Sequence, residues 1–180
     1  MITYHNVKTN EELEEILELQ KRNLSQNVSE KEKLKEGFVT IEHSFKILKK
    51  MNDACAHCIA KKDGKIVGFA LSMLQDFKDQ IPLLIPMFKE IDEVVNTQNL
   101  SANYITMGQI CIDKTVRGKG VFRGLYTYMI NEMKDRFDAI ITEVDTKNIR
   151  SSNAHKSVGF QLVKKYETNN QLWEIIILKL

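Results

Sequence analysis

The chain has 180 residues and a net charge of +2, with 43% hydrophobic and 28% charged residues. This length suits one domain over residues 1–180 with a sizeable core, and the small net charge argues against a dedicated nucleic-acid binder. No apolar run is long enough to span a bilayer, and Glu11, Glu12, Glu14 and Glu15 interrupt any apolar signal sequence. We therefore expect a cytoplasmic protein whose partners include neither nucleic acid nor membrane.

The N-terminal part of the chain predicts a strand, a helix and a polar connection. Apolar and polar residues alternate over residues 1–7, as in a strand, and Thr9 or Asn10 can cap the helix that follows. Residues 23–37 are polar and charged, which predicts a loop or a partly helical connection. The partly buried face of the first helix is expected to comprise Leu13, Ile16, Leu17 and Gln20.

Two hairpins and a further helix are predicted in the rest of the chain. Asp63 and Gly64 suit the tight turn of a hairpin over residues 58–72, and the turn at residues 168–170 suits a second hairpin. A helix with a regular apolar face is predicted soon after Pro82. Because strands and helices are mixed without strict alternation, we expect an α+β fold with a mixed, mostly antiparallel sheet flanked by helices.

Cys55 and Cys58 form a Cys-x-x-Cys pair, with His57 between them. The pair is compatible with half of a zinc site, but such a site needs two further ligands, and the remaining cysteine, Cys111, lies in another predicted strand. A thioredoxin-like redox pair is expected at a strand-to-helix junction, whereas this pair leads into a strand. We interpret both residues as ordinary thiols and expect no metal.

A glycine-containing turn lies between a predicted strand over residues 104–112 and a predicted helix over residues 121–136. Gly118 and Gly120 can adopt backbone angles barred to other residues, and they do not obstruct an approaching ligand. The free N–H groups at the helix start and the positive end of the helix dipole suit a phosphate or pyrophosphate here. Positive charge is added by Arg117, Lys119 and Arg123. The helical spacing is carried by Val121, Leu125, Tyr128, Met129 and Met133.

The four residues 117–120 do not by themselves identify a ligand. The Walker phosphate-binding pattern is absent, and the third glycine of the dinucleotide-binding fingerprint is one position late, at Gly124, with Arg123 in its place. A solvated surface turn accounts for these four residues as well as a phosphate site does. The residues on both sides of the turn are therefore needed to interpret it.

Together with its flanks, the turn resembles the acetyl-CoA-binding core of the GNAT superfamily, the GCN5-related N-acetyltransferases. The family carries Gln/Arg-x-x-Gly-x-Gly/Ala after an apolar strand, and residues 117–122 match five of these six positions, with Phe122 as the departure. Ile110 and Ile112 occupy the apolar strand positions, and His155 stands where tyrosine is commonest. The family's downstream Asn, aromatic helix residue and closing Gly-Phe correspond to Asn148, His155, Gly159 and Phe160.

The resemblance implies the GNAT fold and an acetyl-CoA-dependent N-acetyltransferase that acts on a primary amine of a small molecule or peptide. The backbone N–H groups from Gly118 to Arg123 would hold the pyrophosphate, and the strand from Ile110 to Ile112 would pair with the pantetheine arm. Dimers are common in the family, which leaves a homodimer open. The implied cofactor-binding residues are Ile110, Cys111, Ile112, Arg117, Gly118, Lys119, Gly120, Val121, Phe122, Arg123 and Asn148.

Two residues are candidates for the chemistry. Glu143 resembles the strand glutamate that serves as base in some protein-N-terminal acetyltransferases of the superfamily, directly or through water, and the alternative is a solvated glutamate at a strand end. His155 is expected beside the thioester sulfur as donor or base, and the alternative is a histidine on the helix surface. The candidate residues of the acceptor pocket are Phe38, His43 and Phe45, which could equally belong to the core or the surface.

A second function remains open, namely a non-catalytic acyl-CoA-binding or sensor module of the same fold. Phe122 and His155 motivate this alternative, because both depart from the family pattern. The sequence also leaves open whether the acyl group is acetyl or longer. The charges around residues 30–50 are mixed and point to neither an acidic nor a basic acceptor.

Overall fold

A seven-stranded mixed sheet forms the centre of the molecule. The computed structural model describes the backbone of residues 1–180 and every side chain except those of residues 34 and 35. The strands are β1 (Ile2–Asn6), β2 (Cys58–Lys62), β3 (Lys65–Met73), β4 (Tyr104–Ile112), β5 (Ala139–Asp145), β6 (Gln161–Thr168) and β7 (Gln171–Lys179). They lie in the order β1-β2-β3-β4-β5-β7-β6, and all neighbours are antiparallel except β4 and β5. The predicted mixed, mostly antiparallel sheet is confirmed.

Helices cover both faces of this sheet, as predicted. Over the described backbone, the α-helices are α1 (Asn10–Asn23), α2 (Glu30–Glu36), α3 (Phe45–Ala54), α4 (Ile85–Thr97), α5 (Val121–Met133) and α6 (Ile149–Val158). Buried residues of α1, α3 and α4 belong to one core cluster, and those of α5 belong to a second. Ile140 and Ile141 of β5 fall in different clusters, because successive strand residues point to opposite faces. The two clusters therefore lie on opposite sides of the sheet.

The N-terminus of α1 is held by a capping box. Thr9 Oγ1 accepts a hydrogen bond from the Glu12 N–H over 3.3 Å, and Glu12 Oε2 accepts one from the Thr9 N–H over 3.2 Å. Thr9, rather than Asn10, is therefore the N-cap. The predicted face is confirmed, because α1 buries Leu13, Ile16, Leu19, Gln20 and Asn23 and partly buries Leu17.

Helix α5 approaches β1 closely at Gly124. A Cβ atom on Gly124 would lie 2.0 Å from the Tyr4 hydroxyl oxygen and 2.2 Å from its Cζ atom, so glycine alone fits while the Tyr4 ring keeps its place. Gly124 therefore allows the helix to pack closely against the sheet.

The buried face of α5 differs from the predicted one at one position. Tyr128, which was predicted to lie on the apolar face of this helix, is partly exposed, whereas Tyr126 is fully buried.

Both predicted hairpins are confirmed by their turn residues. Asp63 and Gly64 have φ angles of 52° and 79° between β2 and β3, and Asn169 and Asn170 have φ angles of 51° and 58° between β6 and β7. Two consecutive residues with positive φ are typical of type I′ turns, which match the twist of the paired strands. The connection at residues 23–37 is partly helical, since it contains α2.

Cys55 and Cys58 are free thiols inside the molecule, and burial raises the pKa of the Cys58 thiol to about 12. His57 is also buried, and both of its ring nitrogens are hydrogen-bonded. Its Nε2–H donates to the Leu48 carbonyl over 3.1 Å, and its Nδ1 accepts from the Ser72 N–H over 3.1 Å. Among the described side chains, no group of three or more His, Cys, Asp or Glu residues could hold a metal ion.

Over the described residues, none of the helices has the length and apolar composition that crossing a membrane requires.

Candidate active site

Strands β4 and β5 pair at one end and then separate. Their parallel pairing joins Tyr104 to Ala139 and ends where Thr106 meets Ile141. The register between β3 and β4 shifts at this point, so that Gly108 is an extra residue in β4. A bulge of this kind bends a strand and increases its twist. The outer half of β4 therefore turns away from β5 and leaves a gap between two neighbouring strands.

Three cavities meet at this gap, and Phe38 lines all of them. The first, which we call the glycine-loop groove, has a volume of about 330 Å³ and runs between the outer half of β4, residues 116–123 and α6. The second, the gap cavity, has about 80 Å³ and lies between Gly108–Ile110 of β4 and Thr142–Asp145 of β5. The third, the aromatic cavity, has about 660 Å³ and is lined by Phe38, Tyr166 and Trp173 among others.

The glycine loop has the geometry of an anion site. Gly118 and Gly120 have φ angles of 73° and 79°, and a Cβ atom on either would meet nothing within 4 Å. The first turn of α5 closes with the Gly124 N–H donating to the Gly120 carbonyl over 2.9 Å. In the described part of the chain, the N–H groups of Val121 and Phe122 have no acceptor, as expected for a helix start. They are therefore available to a phosphate.

The basic side chains of the loop are already bonded to the protein. Arg117 donates to the Ile112 carbonyl over 3.0 Å and to Asn23 Oδ1 over 2.7 Å, and it forms an ion pair with Glu36 at 3.3 Å. Lys119 donates to the Thr115 carbonyl and Arg123 to the Ser157 carbonyl. These side chains add positive charge near the loop, but their hydrogen bonds fix its position relative to the neighbouring elements.

The strand residues Ile110, Cys111 and Ile112 line the glycine-loop groove. Their expected contact with a cofactor stays a prediction. The Cys111 side chain is buried, and burial raises the pKa of its thiol to about 12. A thiol with this pKa is almost entirely protonated at neutral pH and is a poor nucleophile. The strand thus presents its backbone edge to the groove rather than a reactive side chain.

Asn148 connects α6 to the segment that covers the gap. Its Oδ1 accepts a hydrogen bond from the Ser151 N–H over 3.2 Å, which caps α6, and its Nδ2 donates to the Phe38 carbonyl over 3.2 Å. A Cβ atom on Gly37 would lie 2.9 Å from Asn148 Oδ1, so the segment passes close to the asparagine. Asn148 lines both the glycine-loop groove and the gap cavity. Its expected bond to the cofactor arm stays a prediction.

His155 is 1% exposed and is not a histidine of the helix surface. It packs edge-on against Phe122, Tyr126 and Phe160, with ring centroids 5.1 to 5.5 Å apart, and it lines the gap cavity. Its Nδ1 lies 2.8 Å from the Ser151 carbonyl, which can only accept a hydrogen bond, so Nδ1 carries the proton of the neutral ring. Burial lowers the pKa of His155 to about 4. In this tautomer Nε2 has a lone pair and no proton to donate.

Glu143 lies on β5 where the gap cavity meets the aromatic cavity. Burial raises the pKa of its carboxyl group to about 7, although a hydrogen bond from the Tyr166 hydroxyl partly opposes this shift. Burial also raises the pKa of Tyr166, which therefore remains a hydroxyl donor at neutral pH. Glu143 is thus a partly enclosed carboxyl group that titrates near neutral pH.

The sequence analysis missed Tyr166 and Trp173, which form the wall of the aromatic cavity beside Glu143. Strand register brings them together, because Trp173 of β7 lies opposite Asp145 of β5 on one side and opposite Tyr166 of β6 on the other. Paired residues in neighbouring strands point to the same face of the sheet. The aromatic character of two strands that follow Phe160 is the signal that could have identified them.

A buried network supports the segment over the gap. Gln20 Nε2 donates to Gln109 Oε1 and to His43 Nδ1, over 2.7 Å in each case, and Gln20 Oε1 accepts from the His43 N–H over 2.8 Å. Gln109 Nε2 donates to the Ile41 carbonyl over 2.9 Å. His43 therefore belongs to this network. Neither His43 nor Phe45 lines the three cavities, so Phe38 alone among the candidate pocket residues does so.

Solved structures share this fold over almost the whole chain. The ribosomal-protein-S18-alanine N-acetyltransferase from Escherichia coli is 16% identical, with a TM-score of 0.65 and coverage of 99% of this chain and 94% of that one. Ard1 from Thermoplasma volcanium is 11% identical, with a TM-score of 0.68 and coverage of 99% and 97%. The yncA protein from Salmonella typhimurium, solved with its cofactor acetyl-CoA, is 12% identical, with a TM-score of 0.66 and coverage of 99% and 94%.

Because the sequence identities to these structures are low, the structural likeness establishes the fold alone. A search of curated proteins found no match to the sequence. The model of the acetyltransferase (GNAT) family, however, matches residues 13–160. This range contains the glycine loop, the separated strands and both candidate catalytic residues. The chain belongs to the GNAT family of acetyl-CoA-dependent N-acetyltransferases.

Proposed function

We propose that this protein acetylates a primary amine of a small molecule or peptide, with the acetyl donor in the glycine-loop groove and the amine in the aromatic cavity. The observation that carries the proposal is the gap between β4 and β5. The gap cavity shares lining residues with both of the other cavities, and it has the glycine loop on one side and Glu143 on the other. A donor and an acceptor that enter from opposite sides would meet in this gap.

Acetyl-CoA supplies the acetyl group as a thioester, and the residues present fit its two polar parts. Among the N–H groups from Gly118 to Arg123 that would hold the pyrophosphate, those at the start of α5 have no acceptor in the described part of the chain, whereas the Lys119 N–H donates to the Val116 carbonyl over 3.4 Å. The edge of β4 from Ile110 to Ile112 pairs with the amide groups of the pantetheine arm, as an added strand would. Phe122 need not prevent this, because the phosphate contacts come from backbone groups.

Glu143 acts as the base. An ammonium group has no lone pair, so it must lose a proton before the nitrogen can attack the thioester carbonyl. A carboxyl group with a pKa of about 7 accepts that proton at neutral pH, directly or through one water molecule. The new C–N bond forms as the C–S bond breaks, and the sulfur leaves as a thiolate. The nitrogen then loses its second proton, which passes to this thiolate directly or through water. Tyr166 holds the Glu143 carboxylate through its hydroxyl group.

His155 is placed beside the thioester sulfur in this proposal, because it lines the gap cavity. Its Nδ1–H is bonded to the Ser151 carbonyl, so the ring accepts rather than donates a hydrogen bond on its other nitrogen. The thiolate then leaves without a proton donor from the protein. A thiol pKa of about 8.5 makes that departure feasible.

Calorimetric titration with acetyl-CoA, followed by a screen of amines for turnover, tests the function. We expect saturable binding that Gly120→Glu weakens at least about tenfold, because a carboxylate would enter the anion site. Gly64→Glu is the matched control, since Gly64 also has a φ angle of 79° and no neighbour within 4 Å of a Cβ atom. Absence of binding at millimolar acetyl-CoA would refute the proposal. Binding without turnover of any amine would favour a non-catalytic acyl-CoA-binding module.

A further inference from the structure

The wall of the aromatic cavity is largely apolar. Its volume of about 660 Å³ is in the usual range of small-molecule sites. Three carboxyl groups line the cavity, those of Glu30, Glu143 and Asp145, and the last two lie at the junction with the gap cavity. The large apolar and aromatic side chains of the wall come from four separate parts of the chain. They are Phe38, Ile41, Leu83, Ile149, Tyr166 and Trp173.

Two of these side chains are exposed to solvent as well as to the cavity. Leu83 is 66% exposed and Ile149 is 62% exposed, and among the described side chains only Met1 exceeds them as an exposed large hydrophobic residue. Leu83 lies just before α4, and Ile149 is the first residue of α6, yet both line the same cavity. Single exposed apolar residues are ordinary, but two that border one cavity indicate a surface that a ligand covers.

The other charged groups around the cavity are largely engaged within the protein. Lys33 pairs with Glu30 at 2.6 Å. Asp145 accepts hydrogen bonds from the Lys147 N–H over 2.8 Å and from Gln171 Nε2 over 3.4 Å. The Lys147 side chain adds a positive charge to the lining. Two of the three carboxyl groups in the lining, those of Glu30 and Asp145, are thus already bonded within the protein. A substrate with several positive charges would meet these engaged groups and a repelling ammonium group, which is poor complementarity.

We infer that the amine substrate is a primary monoamine carried by an apolar or aromatic body, whose amino group reaches Glu143 while its body covers Leu83 and Ile149. The inference rests on the proposed function and names the acceptor class for that same site. A small aryl- or alkylamine and a peptide with apolar N-terminal residues both present this chemistry. Polyamines and peptides with charged N-terminal residues do not.

Initial-rate kinetics with a set of amines tests the inference through turnover. The set contains phenethylamine, spermidine, a tripeptide amide that begins with leucine and phenylalanine, and one that begins with serine and aspartate. We expect kcat/KM to be at least about tenfold higher for the apolar member of each pair, given the free energy of burying one such side chain. The kcat/KM values for phenethylamine and for the apolar peptide then show whether the enzyme prefers a small amine or a peptide N-terminus. A preference for spermidine or for the charged peptide would overturn the inference and leave the acetyltransferase function intact.

Variants of the two exposed residues test the contact itself. We expect Leu83→Ser and Ile149→Ser each to raise KM for the apolar amine about 3- to 10-fold, because each removes part of an apolar contact. The kcat value and the KM for acetyl-CoA should not change. Leu162→Ser is the matched control, since Leu162 is 48% exposed on β6 and lines none of the three cavities. Equal KM values in all three variants would contradict the inference.

Tryptophan fluorescence gives a readout that does not depend on turnover. Trp173 is the only tryptophan in the sequence, and it lines the aromatic cavity. We expect a saturable change in its emission with phenethylamine, shifted to higher concentration in Leu83→Ser, and no saturable change with spermidine. This result without acetylation of any amine would support the preference of the cavity for apolar monoamines and refute the catalytic function. No response to either apolar amine would overturn the inference whatever the kinetics show.

Discussion

The side-chain amide of Gln20 donates a hydrogen bond to Gln109 Oε1 over 2.7 Å, although 89 positions separate the two residues. Gln20 belongs to α1, and Gln109 follows the bulged residue of β4 at the gap. The same network reaches the Ile41 carbonyl, and Ile41 lines both the aromatic cavity and the gap cavity. One pair of glutamines thus connects the helical layer, the separated strand and the wall of the aromatic cavity.

The first prediction concerns this pair. Gln20→Leu leaves the Gln109 oxygen and the His43 N–H without their partner, and each buried polar group left unpaired costs about 1–3 kcal/mol. We expect a lower free energy of unfolding in urea denaturation. The double variant Gln20→Leu with Gln109→Leu should lose less than the sum of the single variants, because the shared bond is counted twice. Gln26→Leu, at an exposed position, is the control and should have little effect. Additive losses would show that the two residues are not coupled.

The second prediction concerns the base. If Glu143 must be ionised, kcat/KM for the amine should show an inflection near pH 7, with activity lost about tenfold per pH unit below it. Glu143→Gln should lower kcat about 10²- to 10⁴-fold and abolish this inflection, leaving only the rise due to the amine itself. Glu167→Gln, on an exposed position of β6, is the control. An inflection near pH 7 that persists in Glu143→Gln would assign it to another group.

The third prediction concerns Tyr166. Its hydroxyl group donates to the Glu143 carboxylate and thereby lowers the pKa of Glu143 against the effect of burial. Tyr166→Phe removes this bond, so the pKa of Glu143 should rise and the inflection should move to higher pH by up to about one unit. The measurement is the pH dependence of kcat/KM at saturating acetyl-CoA. Tyr128→Phe, on a partly exposed position of α5, should leave the inflection in place. A shift to lower pH after Tyr166→Phe is the contrary result.

The fourth prediction concerns the contact between Gly124 and Tyr4. Gly124→Ala places a methyl group about where the Tyr4 ring lies, so it should destabilise the protein by about 1–3 kcal/mol through overpacking. In a Tyr4→Ala background the space is free, and the same change should stabilise the protein by up to about 1 kcal/mol, because alanine favours a helix over glycine. Thermal and urea unfolding of the four proteins measures this reversal of sign. The same sign in both backgrounds would show that Tyr4 is not the obstacle.

Short stretches of the sequence determined those features of the molecule that depend on local backbone conformation. Gly118 and Gly120 adopt φ angles of 73° and 79° at the start of α5, and only glycine reaches such angles at little cost. The glycine loop and the start of α5 could therefore be located from the order of strand, glycine turn and helix. The two hairpin turns followed from their residue types as well, because aspartate, asparagine and glycine are the residues that tolerate positive φ in such turns. Such features need no knowledge of how distant segments pack.

Tertiary structure alone decided which side chains meet at the gap. Glu143 and Tyr166 touch because β5 and β6 both pair with β7. His43 does not line the predicted pocket, because its ring is hydrogen-bonded to Gln20 of α1. The separation of β4 from β5 likewise depends on a register shift against β3. Strand register and buried hydrogen bonds are set by contacts between segments far apart in the chain. Local sequence patterns specify conformation, whereas these long-range pairings specify which groups share a site.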